Sequence, residues 1–149
     1  MTAIILIGIP ASGKSSFCRE RFFDSHIRIS LDMLKTRHRE KLLLNACTAA
    51  KQPFVIDNTN ATEAERERFI TPAREAGFRI VGYYFSSKVQ EALERNRQRI
   101  GKARIPDKGI LGIAARLQLP NPAEGFDELW YVQTDGNGGF IVEEWHDEF

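Results

Sequence analysis

The sequence predicts an α/β fold in which a parallel sheet carries helices on both faces. Three observations predict it. A short aliphatic run at residues 4–7 ends in Gly8 and is followed within a few residues by a helical pattern. Strand-like and helix-like segments then alternate along the chain, which implies right-handed βαβ units. At 149 residues and 42% hydrophobic content, the chain can bury the core of one domain and is too short for two ordinary ones. One domain over residues 1–149 is expected, with no internal repeat and no low-complexity tract.

Residues 4–7 read as the first, buried strand. Residues 13–23 carry helix formers, with Phe17 and Cys18 at helical spacing from Arg21 and Phe22. Residues 27–31 alternate and are β-branched, giving a second strand. Residues 33–50 read as one helix with Leu34, Leu42, Ala46 and Ala49 on an apolar face. Residues 53–56 form a third strand entered through Pro53. Thr62 and Glu65 make a capping box, opening a helix that Gly77 closes. A fourth strand spans 79–85, a helix 88–99, a basic loop broken by Pro106 spans 101–107, and another helix 108–117. Pro120 and Pro122 mark a linker. Residues 129–134 and 140–144 flank a glycine-rich hairpin signal at 135–139. Phe54, Phe78 and Tyr83 read as core.

No apolar run reaches the length that spans a bilayer, and the run at 3–7 is interrupted by Gly8 and Pro10 before it could serve as a signal-peptide core. A cytoplasmic protein without a membrane partner is expected. Cys18 and Cys47 lack metal-type spacing and read as buried thiols. The formal net charge of +1 conceals an asymmetry. Residues 95–108 hold six basic side chains and one acidic one, whereas no Lys or Arg follows Arg116. A local anion site fits this better than a uniformly basic coat. The acidic C-terminal stretch, Glu124, Asp127, Glu128, Asp135, Glu143, Glu144, Asp147 and Glu148, reads as solvated surface.

The string Gly8-Ile9-Pro10-Ala11-Ser12-Gly13-Lys14-Ser15 has the spacing G-x-x-x-x-G-K-[ST], and it lies between a strand and a helix as the chemistry requires. Terminal glycines let the backbone wrap an anion so that N–H groups face phosphate oxygens, and the helix N-terminus adds partial positive charge. The loop and Ser16 are therefore candidate nucleotide-binding residues. Lys14 would reach the β- and γ-phosphates of a bound triphosphate, and the Ser15 hydroxyl would ligate Mg²⁺. No Asn-Lys-x-Asp guanine-reading motif is present, and the chain has little room for helicase or transporter modules. A small kinase is favoured by elimination.

A kinase acting on an alcohol gains from a carboxylate that accepts the hydroxyl proton. Such a group belongs just beyond the C-terminal end of a strand near the loop. Asp32 has that position, and an N-cap role is equally compatible with it. Asp57 ends the third strand in Val55-Ile56-Asp57-Asn58-Thr59-Asn60 and would help hold Mg²⁺, usually through water, or bind the acceptor. Asn58, Thr59 and Asn60 could orient the acceptor. Arg95, Arg97 and Arg99, followed by Lys102 and Arg104, suit triphosphates because guanidinium groups are planar, charged and bidentate. On one helix Arg95 and Arg99 share a face and are the candidate nucleotide contacts. Gly101 and Pro106 would let the segment close as a lid. Lys35, Arg37, His38, Arg39 and Lys41 form a second basic cluster that could follow a nucleic-acid backbone.

Taken together these residues resemble the kinase domain of polynucleotide 5′-hydroxyl kinases, within the adenylate-kinase-like small kinases. Beyond the phosphate loop, the resemblance runs through Ile29-Ser30-Leu31-Asp32, through Phe54 to Asn60, through Arg95-Asn96-Arg97-Gln98-Arg99 and Ile105-Pro106, and through Pro122-Ala123-Glu124-Gly125-Phe126-Asp127-Glu128. It implies a five-stranded parallel sheet of order 2-3-1-4-5 with a small lid, and ATP and Mg²⁺ as cosubstrates. It further implies Asp32 as the base for a 5′-hydroxyl of DNA or RNA, and Arg99 as the catalytic lid arginine alongside Lys14. Some members place an acceptor-binding arginine where this chain has Lys35. The alternatives are a kinase for a small alcohol and an ATP-binding regulatory module with little turnover.

Overall fold

The computed structural model describes residues 1–101 and 104–146. β1 (Thr2–Ile7) is apolar at five successive positions because both of its faces are covered. Ala3, Ile5 and Ile7 enter one core, and Ile4 and Leu6 enter the other. β1 pairs in parallel with β3 (Phe54–Ile56) and β4 (Arg79–Phe85). β2 (Ile27–Ile29) adds outside β3 and β5 (Glu128–Thr134) adds outside β4, also in parallel. The expected order 2-3-1-4-5 is therefore present. A sixth strand, β6 (Phe140–Glu144), runs antiparallel to β5 at the sheet edge and extends the expected five. Its hairpin turn is stabilised by Asp135, whose Oδ1 accepts from the N–H groups of Asn137 and Gly139.

One face of the sheet is covered by α1 (Lys14–Phe22), which contributes Phe17, Cys18 and Phe22. The other carries α3 (Arg37–Ala50) and α4 (Glu63–Glu75), with Leu44, Cys47, Phe69, Ile70 and Ala73. A third, smaller core joins α5 (Val89–Arg97) and α6 (Asp107–Arg116) to the phosphate loop: Ala92, Leu93 and Ile110 pack with Ile9 and Ala11. The lid helices are thus fastened by apolar packing to the loop they serve.

Several expectations need correction. On α3 the residues Leu42, Ala46 and Ala49 are exposed, and Leu44 and Cys47 supply the buried apolar face instead. The helix expected over 33–50 is two helices, α2 (Leu31–Leu34) and α3. Lys35 turns to φ +75°, and Thr36 is extended and caps α3 by accepting from Arg39 N at 3.1 Å. The second strand stops at Ile29 because Ser30 caps α2 instead, accepting from Met33 N. The lid helix ends at Arg97, so Arg99 lies beyond it and shares no helix face with Arg95. The acidic C-terminal stretch is not all solvated surface: the Glu124 side chain is 5% exposed, and Asp127 accepts from Ile80 N at 2.7 Å. Asp147, Glu148 and Lys102 lie outside the described residues. Tyr83 is only partly buried, whereas Phe54 and Phe78 are core. Cys18 and Cys47 are buried, and desolvation pushes the Cys18 thiol up to about 11, so it stays protonated at neutral pH.

Glu124 is buried because Arg66 is. Arg66 is fully enclosed and makes a two-pronged bond to Glu124 at 2.7 and 3.0 Å. Its Nη1 also donates to the carbonyls of Asn60, Ala61 and Gln118. One guanidinium thereby joins α4, the segment after β3 and the 3-10 turn Pro122–Glu124. Arg66→Met is expected to destabilise the chain by about 3–5 kcal/mol, because Glu124 keeps its buried charge with no counter-charge and only the Asn121 N–H as a donor. Urea denaturation read against the parent protein checks it; a loss below about 1 kcal/mol would contradict this account.

Candidate active site

The phosphate loop turns between β1 and α1. Gly8 approaches other groups closely: a Cβ there would lie 2.9 Å from Ser12 Oγ and 3.1 Å from Phe85 Cβ. Gly13 sits at φ +101°, and a Cβ there would press on the Phe140 ring at 3.2 Å. Gly8 N–H donates to Thr59 O at 3.0 Å, which ties the loop to the segment after β3. Lys14 is buried and folds back onto its own loop, donating to Gly8 O at 2.9 Å and Ile9 O at 2.8 Å. Ser12 and Ile9 are buried, whereas Ser15 and Ser16 are exposed.

Burial pulls the Lys14 ammonium down to about 8; the charges of Asp57 and Asp32 oppose the shift and that of Arg99 adds to it. Three residues proposed from three separate segments therefore act electrostatically on one lysine. The sign of the consequence is definite. Between about 8 and 10.5 the unfolded chain holds a proton that the folded chain has lost, so the Lys14 contribution to stability rises with pH across that window. Bound phosphates favour the charged lysine. Nucleotide binding near pH 9 is therefore expected to take up a proton, and affinity for metal-free ADP to fall by up to about tenfold per pH unit above about 8. Calorimetry in buffers of different ionisation enthalpy measures the uptake. Zero uptake near that pH would contradict the reading.

Asp57 and Ser15, each expected separately to serve Mg²⁺, lie in contact. Ser15 Oγ donates to Asp57 Oδ2 at 2.9 Å, and the Asp57 side chain is 2% exposed. Two hard oxygen donors beside a phosphate loop fit Mg²⁺, which takes one or two protein oxygens and fills its remaining positions with phosphate and water. Asp32 is exposed in the first turn of α2. Its segment is held from below: Leu31 N–H donates to Asn58 Oδ1 at 2.8 Å, and Asn58 Nδ2 donates to the buried Glu40 at 3.0 Å. Both ends of the Asn58 amide thus serve the scaffold. The Asn60 amide donates to Leu6 O at 2.7 Å in the interior, and Thr59 contributes its carbonyl to Gly8. These three residues position the loop and the Asp32 segment. Lys35 is exposed at the strained end of α2.

Arg95 reaches the loop, donating to Ala11 O at 2.8 Å and to Thr134 Oγ1 at 2.9 Å. Arg97 turns away to Glu94. Arg99 follows α5, its N–H bonded to Asn96 O at 3.0 Å. The buried Asn96 amide also accepts from Ile105 N at 2.9 Å and donates to Ile105 O, so the basic segment is closed at its base. Sequence reasoning missed Arg28, which donates to Asp57 at 2.8 Å, and also Asn96, Thr134, Phe140 and Glu40. Arg28 left a readable signal: a lone charge between two isoleucines in a short strand.

The sheet order, the strand–loop–helix around Lys14 and the basic lid segment define an ATP-binding P-loop domain of the kinase type. Known proteins agree. The family described as AAA domain matches residues 35–120, more than half of the chain, and the chain belongs to that family. A bifunctional polynucleotide phosphatase/kinase of Schizosaccharomyces pombe is 30% identical over 132 residues, which cover 85% of this chain and 32% of that protein. The chain thus spans about a third of that relative's length, and the match upholds the resemblance seen in the sequence. Among solved structures, Chaetomium thermophilum Kti12 in complex with ADP-AlF3 aligns with a TM-score of 0.64 at 20% identity, covering 89% of each chain. A Sinorhizobium meliloti gluconokinase aligns at 0.60 and 18% identity, covering 89% of this chain and 82% of that one. These two share the fold. Among the described residues, no helix is long and apolar enough to cross a membrane.

Proposed function

We propose that the chain is a magnesium-dependent kinase that transfers the γ-phosphoryl group of ATP to an alcohol, the 5′-hydroxyl of a polynucleotide. The observation that carries this is the convergence on one loop of buried Lys14, of Ser15 bonded to Asp57 at 2.9 Å, and of an exposed carboxylate, Asp32, on a segment that Asn58 and Ser30 brace without using it. A module that only binds nucleotide has no use for the last. Lys14 and the loop N–H groups hold the β- and γ-phosphates. Ser15 and Asp57 hold Mg²⁺, which when bound offsets charge on the phosphate oxygens. Asp32 accepts the proton of the attacking hydroxyl, and Arg99 neutralises charge on the phosphoryl group in flight. The acceptor reading is supported by the identity with the fission-yeast polynucleotide phosphatase/kinase.

A second reading, a small alcohol acceptor, is favoured by Lys35, a point charge where the resemblance has a bidentate arginine. The two separate on ionic strength. With a 5′-hydroxyl oligonucleotide as acceptor, log KM is expected to rise linearly with log salt, with a slope of about 0.7 per neutralised phosphate. Labelled ATP that phosphorylates small alcohols but leaves the oligonucleotide unlabelled would overturn the polynucleotide reading.

A further inference from the structure

The carboxylate proposed to hold Mg²⁺ is engaged twice. Asp57 Oδ2 accepts from Ser15 Oγ at 2.9 Å and from Arg28 Nε at 2.8 Å. The Asp57 side chain is 2% exposed, whereas that of Arg28 is 40% exposed and reaches inward from β2. The outer part of the guanidinium lies beside α2, with Nη1 4.0 Å from Sδ of Met33, the neighbour of Asp32. A permanent cation therefore stands between the metal carboxylate and the segment that carries the proposed base.

Charge decides what can join it there. A divalent ion bound to Asp57, directly or through one water, would lie within a few ångströms of the guanidinium, in a shielded site where like charges repel strongly. Free Mg²⁺ must therefore work against Arg28. The Mg²⁺–triphosphate complex carries net negative charge, and Arg28 attracts it. The Ser15 hydroxyl, which points its hydrogen at Asp57, must also turn to offer a lone pair to a metal, and a nearby phosphate compensates that change.

We propose that Arg28 is a positioning residue that holds Asp57 in the nucleotide-free protein, keeps free divalent metal off it and admits metal together with the triphosphate. The proposal rests on Asp57 being the metal carboxylate. It differs from a structural ion pair, which would set stability and leave metal selectivity untouched.

Mn²⁺ serves as the probe, with free ion counted by electron paramagnetic resonance and the full chain used throughout. Without nucleotide, Arg28→Gln is expected to bind Mn²⁺ about tenfold or more tightly than the parent, and Arg28→Lys to stay within about threefold of it. In the double variant carrying Arg28→Gln and Asp57→Asn, the gain should vanish. Equal Mn²⁺ affinity in Arg28→Gln and the parent, with a thermal transition showing the variant folded, overturns the proposal. So does a gain in Arg28→Lys as large as that in Arg28→Gln. Titration with Mn²⁺–ADP separates the two failures. If Asp57→Asn binds that complex as the parent does, Asp57 is not the metal carboxylate and the underlying reading fails. If Asp57→Asn loses it while Arg28→Gln gains no affinity for the free ion, only the role of Arg28 fails.

Discussion

Replacing Asp32 by Asn is expected to lower kcat for phosphoryl transfer by about 10²–10⁴-fold while leaving KM for ATP within about threefold of the parent value. The asymmetry follows from how the residue is held. Asp32 is exposed, and its segment is fixed by Ser30, which accepts from Met33 N, and by Asn58, which accepts from Leu31 N. Neither bond uses the Asp32 carboxylate, so an isosteric amide keeps the geometry and removes only the base. The amide leaves ATP on its loop and the acceptor hydroxyl without a proton acceptor. Steady-state kinetics with a 5′-hydroxyl oligonucleotide check both effects, and an unchanged kcat would reduce Asp32 to a helix-terminal residue. That result would also favour the ATP-binding regulatory module.

Arg99→Ala is expected to cost about 10³–10⁵ in kcat, the range in which a positioned arginine stabilises a transferring phosphoryl group. Its charge acts on Lys14, and its backbone is fixed at the end of α5 by Asn96. Arg95→Ala offers the internal contrast. Arg95 is tied to Ala11 O and Thr134 Oγ1, so its loss should loosen the loop and raise KM for ATP more than it lowers kcat. Single-turnover measurements on the two variants separate the roles. Equal effects on kcat would mean that neither arginine acts specifically in the transition state.

Much of this arrangement was legible because strong local signals carried it. The apolar β1 followed by a glycine-bracketed loop revealed both the central strand and the nucleotide half of the site. The alternation of elements conveyed the parallel sheet, and Asp135 with its glycines conveyed the β5–β6 hairpin. What stayed hidden was non-local or broke periodicity for a few residues. The α2–α3 break depends on Lys35 accepting positive φ and Thr36 capping afresh, inside a stretch whose composition favours helix throughout. The burial of Glu124 depends on Arg66, 58 positions away, and no one-dimensional pattern distinguishes it from the other acids of the C-terminal stretch. Asn58 and Asn60 looked like groups for an acceptor because amides suit both ligands and backbone. Only the fold shows that Asn60 bonds Leu6 and that Asn58 bridges Leu31 and Glu40. Arg99 lies two residues beyond the end of a helix whose composition does not mark that end.

In the proposed function, one phosphate loop and one carboxylate together deliver phosphate to a polynucleotide end. The direct measurement is a single-turnover reaction with γ-labelled ATP, Mg²⁺, a 5′-hydroxyl oligonucleotide and enzyme in stoichiometric amount, followed by analysis of the labelled position. Label is expected at the oligonucleotide 5′ end with the parent protein, and a severe slowing with Asp32→Asn. Label that stays in ATP, or appears only as inorganic phosphate, with correctly folded and nucleotide-bound protein would contradict it.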